Sequence, residues 1–175
     1  MLLLTNCATT RTSTIVGGEY NASKNVTDYF VIPYGSVSIP GEWTKTNYNS
    51  VSKQQFFQNR DSIIIAIAFN RFDKYEFNMN GEHQGFDFVK AYYEWDSKYF
   101  VDSHGLQRQE IERDSLNGFI TYRIYGQIEK GKFDTFWLVS EKNGNITNIS
   151  ISDTDKWTEI EKLTFMKSLI KQKEE

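Results

Sequence analysis

The groups in this 175-residue chain able to do chemistry are few: two histidines, one cysteine, and 23 acidic side chains set among 20 lysines and arginines. One histidine lies in the loop dipeptide Glu82-His83, and the other, His104, stands just before Gly105. The stretch between them reads as one helix, which puts them at opposite ends of an element about 25 Å long at 1.5 Å per residue. A metal site needs three or four converging ligands, so these are read as two solvated loop histidines. Glu110, Glu112 and Asp114 alternate along a predicted strand, with Arg113 between them. Carboxylates that act as acid and base must be held a defined distance apart, and a row on one strand face reads as a wetted surface. There is no Gly-x-Ser-x-Gly, no Cys–His pair near Cys7, no phosphate-binding glycine loop and no dinucleotide fingerprint. The expectation is a non-enzymatic protein with no cofactor and no metal.

Binding is the remaining chemistry. Aromatic residues make up 15% of the chain, ten of them tyrosine. Most such rings belong in a small core, and Trp43, just after the Pro40-Gly41 turn, stands where a large ring can plug one end of it; Trp43 and Tyr48 are also the exposed aromatics that a binding site could use. With Glu82, His83 and His104 they form the set of candidate binding residues. The formal charge is −3, with lysine and arginine scattered among acids. A nucleic-acid binder concentrates its basic residues, so no nucleic-acid partner is expected. A membrane-surface helix would need the same clustering. No apolar run approaches the roughly 18 residues of a spanning helix.

The first residues carry a resemblance. Met1-Leu2-Leu3-Leu4-Thr5-Asn6-Cys7-Ala8 resembles the end of a bacterial lipoprotein signal peptide, where a leucine three residues before a cysteine marks cleavage and lipidation. The resemblance implies that residues 1–7 are a signal remnant and that Cys7 is the lipid attachment site. Acyl chains contribute about 0.8 kcal/mol per buried CH₂. Ala8, in place of the aspartate that retains lipoproteins at the inner membrane, implies the outer membrane, facing the periplasm. Ala8–Asn25 is rich in Thr, Ser, Gly and Asn without periodicity, so residues 8–27 read as a flexible tether. Residues 28–175 read as one domain, the size of chain that buries a single core.

Residues that bind must be positioned, and the positioning elements are legible. Ser62–Phe69 is a continuous apolar run of strand length, which predicts a central strand covered on both faces. Ile63, Ile65, Ile67 and Phe69 point one way, and Ile64, Ala66 and Ala68 the other. Tyr29–Ile32, Ser36–Ile39, Tyr48–Ser52 and Gln54–Gln58 read as further strands, and Phe69–Asn80 as an irregular connection. Phe88, Tyr92, Trp95 and Tyr99 fall at helical spacing, predicting a helix over 86–101 that ends at Gly105. This helix is expected to lie over the alanine side of the central strand. Asn117-Gly118, Lys130-Gly131 and Asn143-Gly144 then punctuate a four-strand meander: Leu106–Arg113, Phe119–Ile128, Lys132–Glu141 and Asn145–Ser152. A final helix, capped by Thr154 or Asp155, runs to about Lys171.

Taken together, strands, an aromatic helix, a meander and a C-terminal helix resemble the PsbP-like proteins, the extrinsic subunits of the oxygen-evolving complex and their bacterial relatives. Val37-Ser38-Ile39-Pro40-Gly41-Glu42-Trp43 is similar to an opening pattern of that family. The resemblance implies an α+β fold, mostly antiparallel sheet with helices on both faces in an α/β/α sandwich. It also implies binding or stabilising of partner proteins, and no shared catalytic set. The leading expectation is therefore a lipid-anchored envelope protein that binds an unknown envelope protein as an accessory module, touching the membrane only through its anchor. The alternative is a binder of a small ligand or glycan through exposed aromatics. A hydrolase built on loop carboxylates comes third.

Overall fold

The computed structural model describes residues 13–171. Its strands are β1 (Ile15–Gly17), β2 (Tyr20–Asn21), β3 (Val26–Ile32), β4 (Gly35–Pro40), β5 (Trp43–Asn49), β6 (Gln54–Asn59), β7 (Ile64–Arg71), β8 (Gln107–Asp114), β9 (Phe119–Ile128), β10 (Gly131–Lys142) and β11 (Asn145–Ile151). Its helices are α1 (Gly85–His104) and α2 (Glu159–Ile170). Two short 3₁₀ turns, Phe72–Lys74 and Glu76–Asn78, connect β7 to α1.

The predicted central strand is internal. β7 stands third in a seven-stranded antiparallel sheet of order β5-β6-β7-β11-β10-β9-β8. The predicted meander supplies β8 to β11, and its last strand folds back against β7. The Asn143-Gly144 turn works because both residues adopt positive φ, 54° and 80°, the twist a tight hairpin needs. β3 is the centre of a smaller sheet: β4 pairs along its length, and β1 and β2 pair with its two ends.

Register decides which residues meet on each face. Leu138 pairs with Ile149, and Ile149 with Ile67; side chains paired across strands point the same way. This face packs with Phe57, Ile65, Phe69 and Phe136 against Tyr29, Val37 and Ile39 of the small sheet and Met166 and Leu169 of α2. Trp137, one residue along, pairs with Ser150 and with Tyr122. That opposite face packs against Phe88, Val89, Tyr92 and Tyr93 of α1. Each fully buried Ile, Leu or Phe stabilises by about 1.5–3 kcal/mol relative to exposure, so the period-2 pattern holds both layers in place.

The fold is α+β and mostly antiparallel, and it departs from expectation in three places. Order begins well before residue 28: Ile15–Gly17 and Tyr20–Asn21 pair with β3, so the tether reading fails for that part of residues 8–27. Strands this short carry no periodicity to be read. Cys7 and the rest of the expected signal lie outside the described residues. β5 begins at Trp43, and the predicted Tyr48–Ser52 strand is split by the turn that follows Asn49. The last helix starts later, at Glu159, because Thr158 forms a reciprocal capping box with Glu161.

Candidate ligand-binding cleft

α1 ends as expected: Gly105 adopts φ 64°, its N–H donates to the Val101 carbonyl, and the Leu106 N–H donates to that of Phe100. The helix packs over β8, β9 and β10. The alanine side of β7 does face the helix layer, because Ala66 pairs with Ser150 and Ala68 with Asn148. The helix is displaced sideways from it, toward the strands whose side chains are large. Over Ala66–Ala68 of β7 and Asn148–Ser150 of β11 the side chains on this face are Ala, Asn and Ser, and a cleft of about 1090 Å³ opens beside Ala68 and Asn148. Its size lies at the upper end for small-molecule sites.

Tyr92, Trp95, Asp96, Tyr99 and Phe100 of α1 form one wall. Tyr75 and Glu76 close one side, and Tyr48, Val51 and Gln54 come from the β5–β6 hairpin opposite. Ala68, Asn148 and Trp137 contribute from the sheet. The rings hold one another edge to face: Tyr75 meets Tyr92 at 5.2 Å between centroids and Trp95 at 6.1 Å. Phe100 leans on Trp137 at 5.9 Å.

A chain of polar contacts ties this wall to the sheet. The Tyr122 hydroxyl donates to Asp96 Oδ2 at 2.6 Å. Asn148 Nδ2 donates to the Tyr92 hydroxyl at 2.8 Å, and Gln54 Nε2 reaches Asn148 Oδ1 at 3.4 Å. Trp95 Nε1 donates to Glu76 Oε1 at 2.9 Å. Burial pushes the Asp96 carboxyl up to about 6, against a smaller opposing effect of the Tyr122 bond. Part of Asp96's surface still reaches solvent, but the carboxyl itself is enclosed enough for burial to dominate. Burial likewise raises Tyr75, Tyr92 and Tyr122 above the ordinary phenol range, so all three stay neutral at physiological pH. The buried Trp137 Nε1 has no hydrogen-bond partner among the described residues.

Of the residues singled out in the sequence, Tyr48 alone lines this cleft, at 53% exposure. Trp43 is buried, donates its indole N–H to the Pro40 carbonyl, and packs on Trp157 and Phe165. It plugs the core and is no binding surface. His83 Nδ1 contacts Asp87 Oδ2 at 2.7 Å beside exposed Glu82, while His104 sits exposed against Tyr99 at the other end of α1. The structure therefore does not bring Glu82, His83 and His104 together. No group of three or more His, Cys, Asp or Glu among the described residues is arranged to hold a metal.

Asp96, Trp95, Trp137 and Asn148 were not legible as a site, although one signal exists. Asp96 lies four residues after Tyr92 and eight after Phe88, inside the apolar arc of α1. An acid in that arc is enclosed by the packing that buries its neighbours.

No family model matches this sequence, and no curated protein does. Among solved structures the chain is similar to the solution structure of cyanobacterial PsbP from Synechocystis, at 9% identity and a TM-score of 0.47, over 93% of this chain and 94% of that one.

Proposed function

We propose that this protein is a non-enzymatic binder of a small ligand, which it holds in the cleft between α1 and the β5–β6 hairpin. The observation that carries the reading is the cleft itself: about 1090 Å³, reaching from α1 and the β5–β6 hairpin to Val16 and Tyr29 of the small sheet, lined by aromatic rings and by polar groups that include Gln54, Asn70, Glu76, Asp96 and Asn148. Sites of this make-up bury a ligand's apolar surface on rings and orient it through those polar groups. N-phenyl-1-naphthylamine, an uncharged aromatic fluorophore, tests it. Its emission should rise saturably with the full chain, and the rise should weaken in Ala68→Leu, which fills the floor, and in Tyr99→Ala, which removes a wall. A melting curve confirms that both variants fold. No saturable rise, or a rise unchanged in both variants, overturns the reading.

The raised Asp96 carboxyl also suits an acid–base catalyst. It ranks lower because the polar contact described for Asp96 is a neutral phenol, and acid–base chemistry needs a second group placed to share the proton.

An accessory role with an envelope protein partner is the second reading, favoured by exposed apolar residues on the cleft's lining, Val16 at 55% and Val51 at 90%. If that surface docks a protein, Val51→Glu should lose a partner that the native chain retains from envelope extracts. We further propose attachment to the outer membrane, facing the periplasm, through lipid on Cys7, supported by the Leu4-Thr5-Asn6-Cys7 resemblance. Palmitate should label the native chain and not Cys7→Ser; an unlabelled native chain sinks the anchor. We also read α2 with the small sheet as the second outer layer, which completes the helix-on-both-faces sandwich.

A further inference from the structure

We infer that the ligand of this cleft is headed by an organic ammonium group, seated against Asp96 among the aromatic rings. The inference rests on the ligand-binding reading above and narrows it to a chemical class.

The starting observation is an imbalance. Asp96 lines the cleft with a carboxylate that takes one hydrogen bond, from the neutral Tyr122 hydroxyl, and no ion pair is described for it. A carboxylate withdrawn from water needs charge or several donors in return, and one phenol is little. Elsewhere the same sheet does better: Asp134 meets both Arg123 and Lys132. At Asp96 the compensating cation is missing from the chain and has room to arrive from outside.

The aromatic surroundings of Asp96 fit a cation. Tyr75, Tyr92, Trp95, Tyr99 and Phe100 line the same space. Aromatic faces are electronegative and attract ammonium groups, Trp best and Tyr and Phe after it. The Trp95 ring is held through its N–H by Glu76, which adds a second acidic group to the lining. An anion seated at this place would face the Asp96 carboxylate. A wholly apolar ligand would bury Asp96 further without return.

The charged and titratable groups around Asp96 set its pH behaviour. Tyr92 from its own helix, Tyr75 from the 3₁₀ turns and Tyr122 from β9 all remain neutral through the range that matters. Glu76, Lys74 and Lys53 line the cleft but are exposed, where solvent and salt screen them. Attraction for an ammonium should therefore follow Asp96, present above about pH 6 and lost below it.

Choline and its uncharged carbon isostere 3,3-dimethyl-1-butanol separate charge from shape. By calorimetry with the full chain at pH 7.5, choline should bind at least about tenfold tighter than the isostere. Asp96→Asn should weaken choline by about tenfold or more and leave the isostere bound at least as tightly, and Tyr99→Leu should weaken choline several-fold without touching the fold. Choline affinity should fall as the pH drops from 7 to 5. If choline and the isostere bind alike, or Asp96→Asn leaves choline unaffected, while N-phenyl-1-naphthylamine still binds, the ammonium inference falls and the cleft stands. If the fluorophore fails to bind as well, both fall.

Discussion

Two acids face opposite sides of the same sheet and have opposite fates. Asp134, on β10, points to the side covered by α2 and the small sheet. Arg123 grips it with two bonds of 2.6 Å and Lys132 adds a third contact at 3.0 Å. Those bonds, Arg123's first, hold its carboxyl below the ordinary range although the residue is 4% exposed. Asp96, on the α1 side, has a phenol for company, and burial lifts it to about 6. Burial alone would raise both. The difference lies in whether the chain supplies cations, and it separates a structural acid from one held in reserve for a ligand.

The largest expected effect tests the structural half. Asp134→Asn leaves Arg123 without its counter-charge, and Lys132 with Asp153 alone, and should cost about 3 kcal/mol in urea unfolding at pH 7. Because the folded pKa is lowered, the native contribution is present above the usual carboxyl range near 3.8 and lost as the pH falls through the folded value. A cost near zero would make the two acids alike.

Asp96 carries the opposite sign. Its folded pKa is raised, so the native state binds an extra proton between about 4 and 6, and stability falls as the pH rises across that window. Asp96→Asn resembles the protonated form and should stabilise the chain by about 2 kcal/mol at pH 8, with the gain fading below pH 4. A loss of stability at pH 8 would show Asp96 already compensated, and the contrast would break.

Smaller effects sharpen the contrast. Asn148→Ala removes the bond to Tyr92 and the one from Gln54, and should cost about 1 kcal/mol. Lys132→Met should cost least, because its side chain is 57% exposed and solvent already screens it. Its small shift in urea midpoint should vanish in high salt, whereas that of Asp134→Asn should persist.

Much of the frame was legible because its signals are local. The Asn-Gly turns, the apolar run at Ile63–Phe69 and the aromatic spacing of α1 each reflect a period that a few neighbouring residues complete. Residues 15–21 were misread because two- and three-residue strands show no period. Trp43 was misread in one of its two senses: its ring does plug the core, and so it is no surface for stacking. The cleft was mostly illegible, since its contacts join residues distant in sequence. Tyr122 meets Asp96 across 26 positions, Asn148 meets Tyr92 across 56, and Gln54 meets Asn148 across 94.

By itself, then, the sequence determined which residues share a face, because side-chain direction follows from the 2.0 and 3.6 periods alone. It placed Ala66 and Ala68 toward the helix layer and put Asp96 in the apolar arc of α1. Only the tertiary structure decided where along the sheet the helix would settle. That depended on side-chain volume in strands far apart in the chain: α1 went to the large residues of β8 to β10, and the small ones of β7 and β11 were left beside open space. Close packing rewards filled contacts, so the helix moved to where it could make them, and the cleft with its unanswered carboxylate is what that choice left.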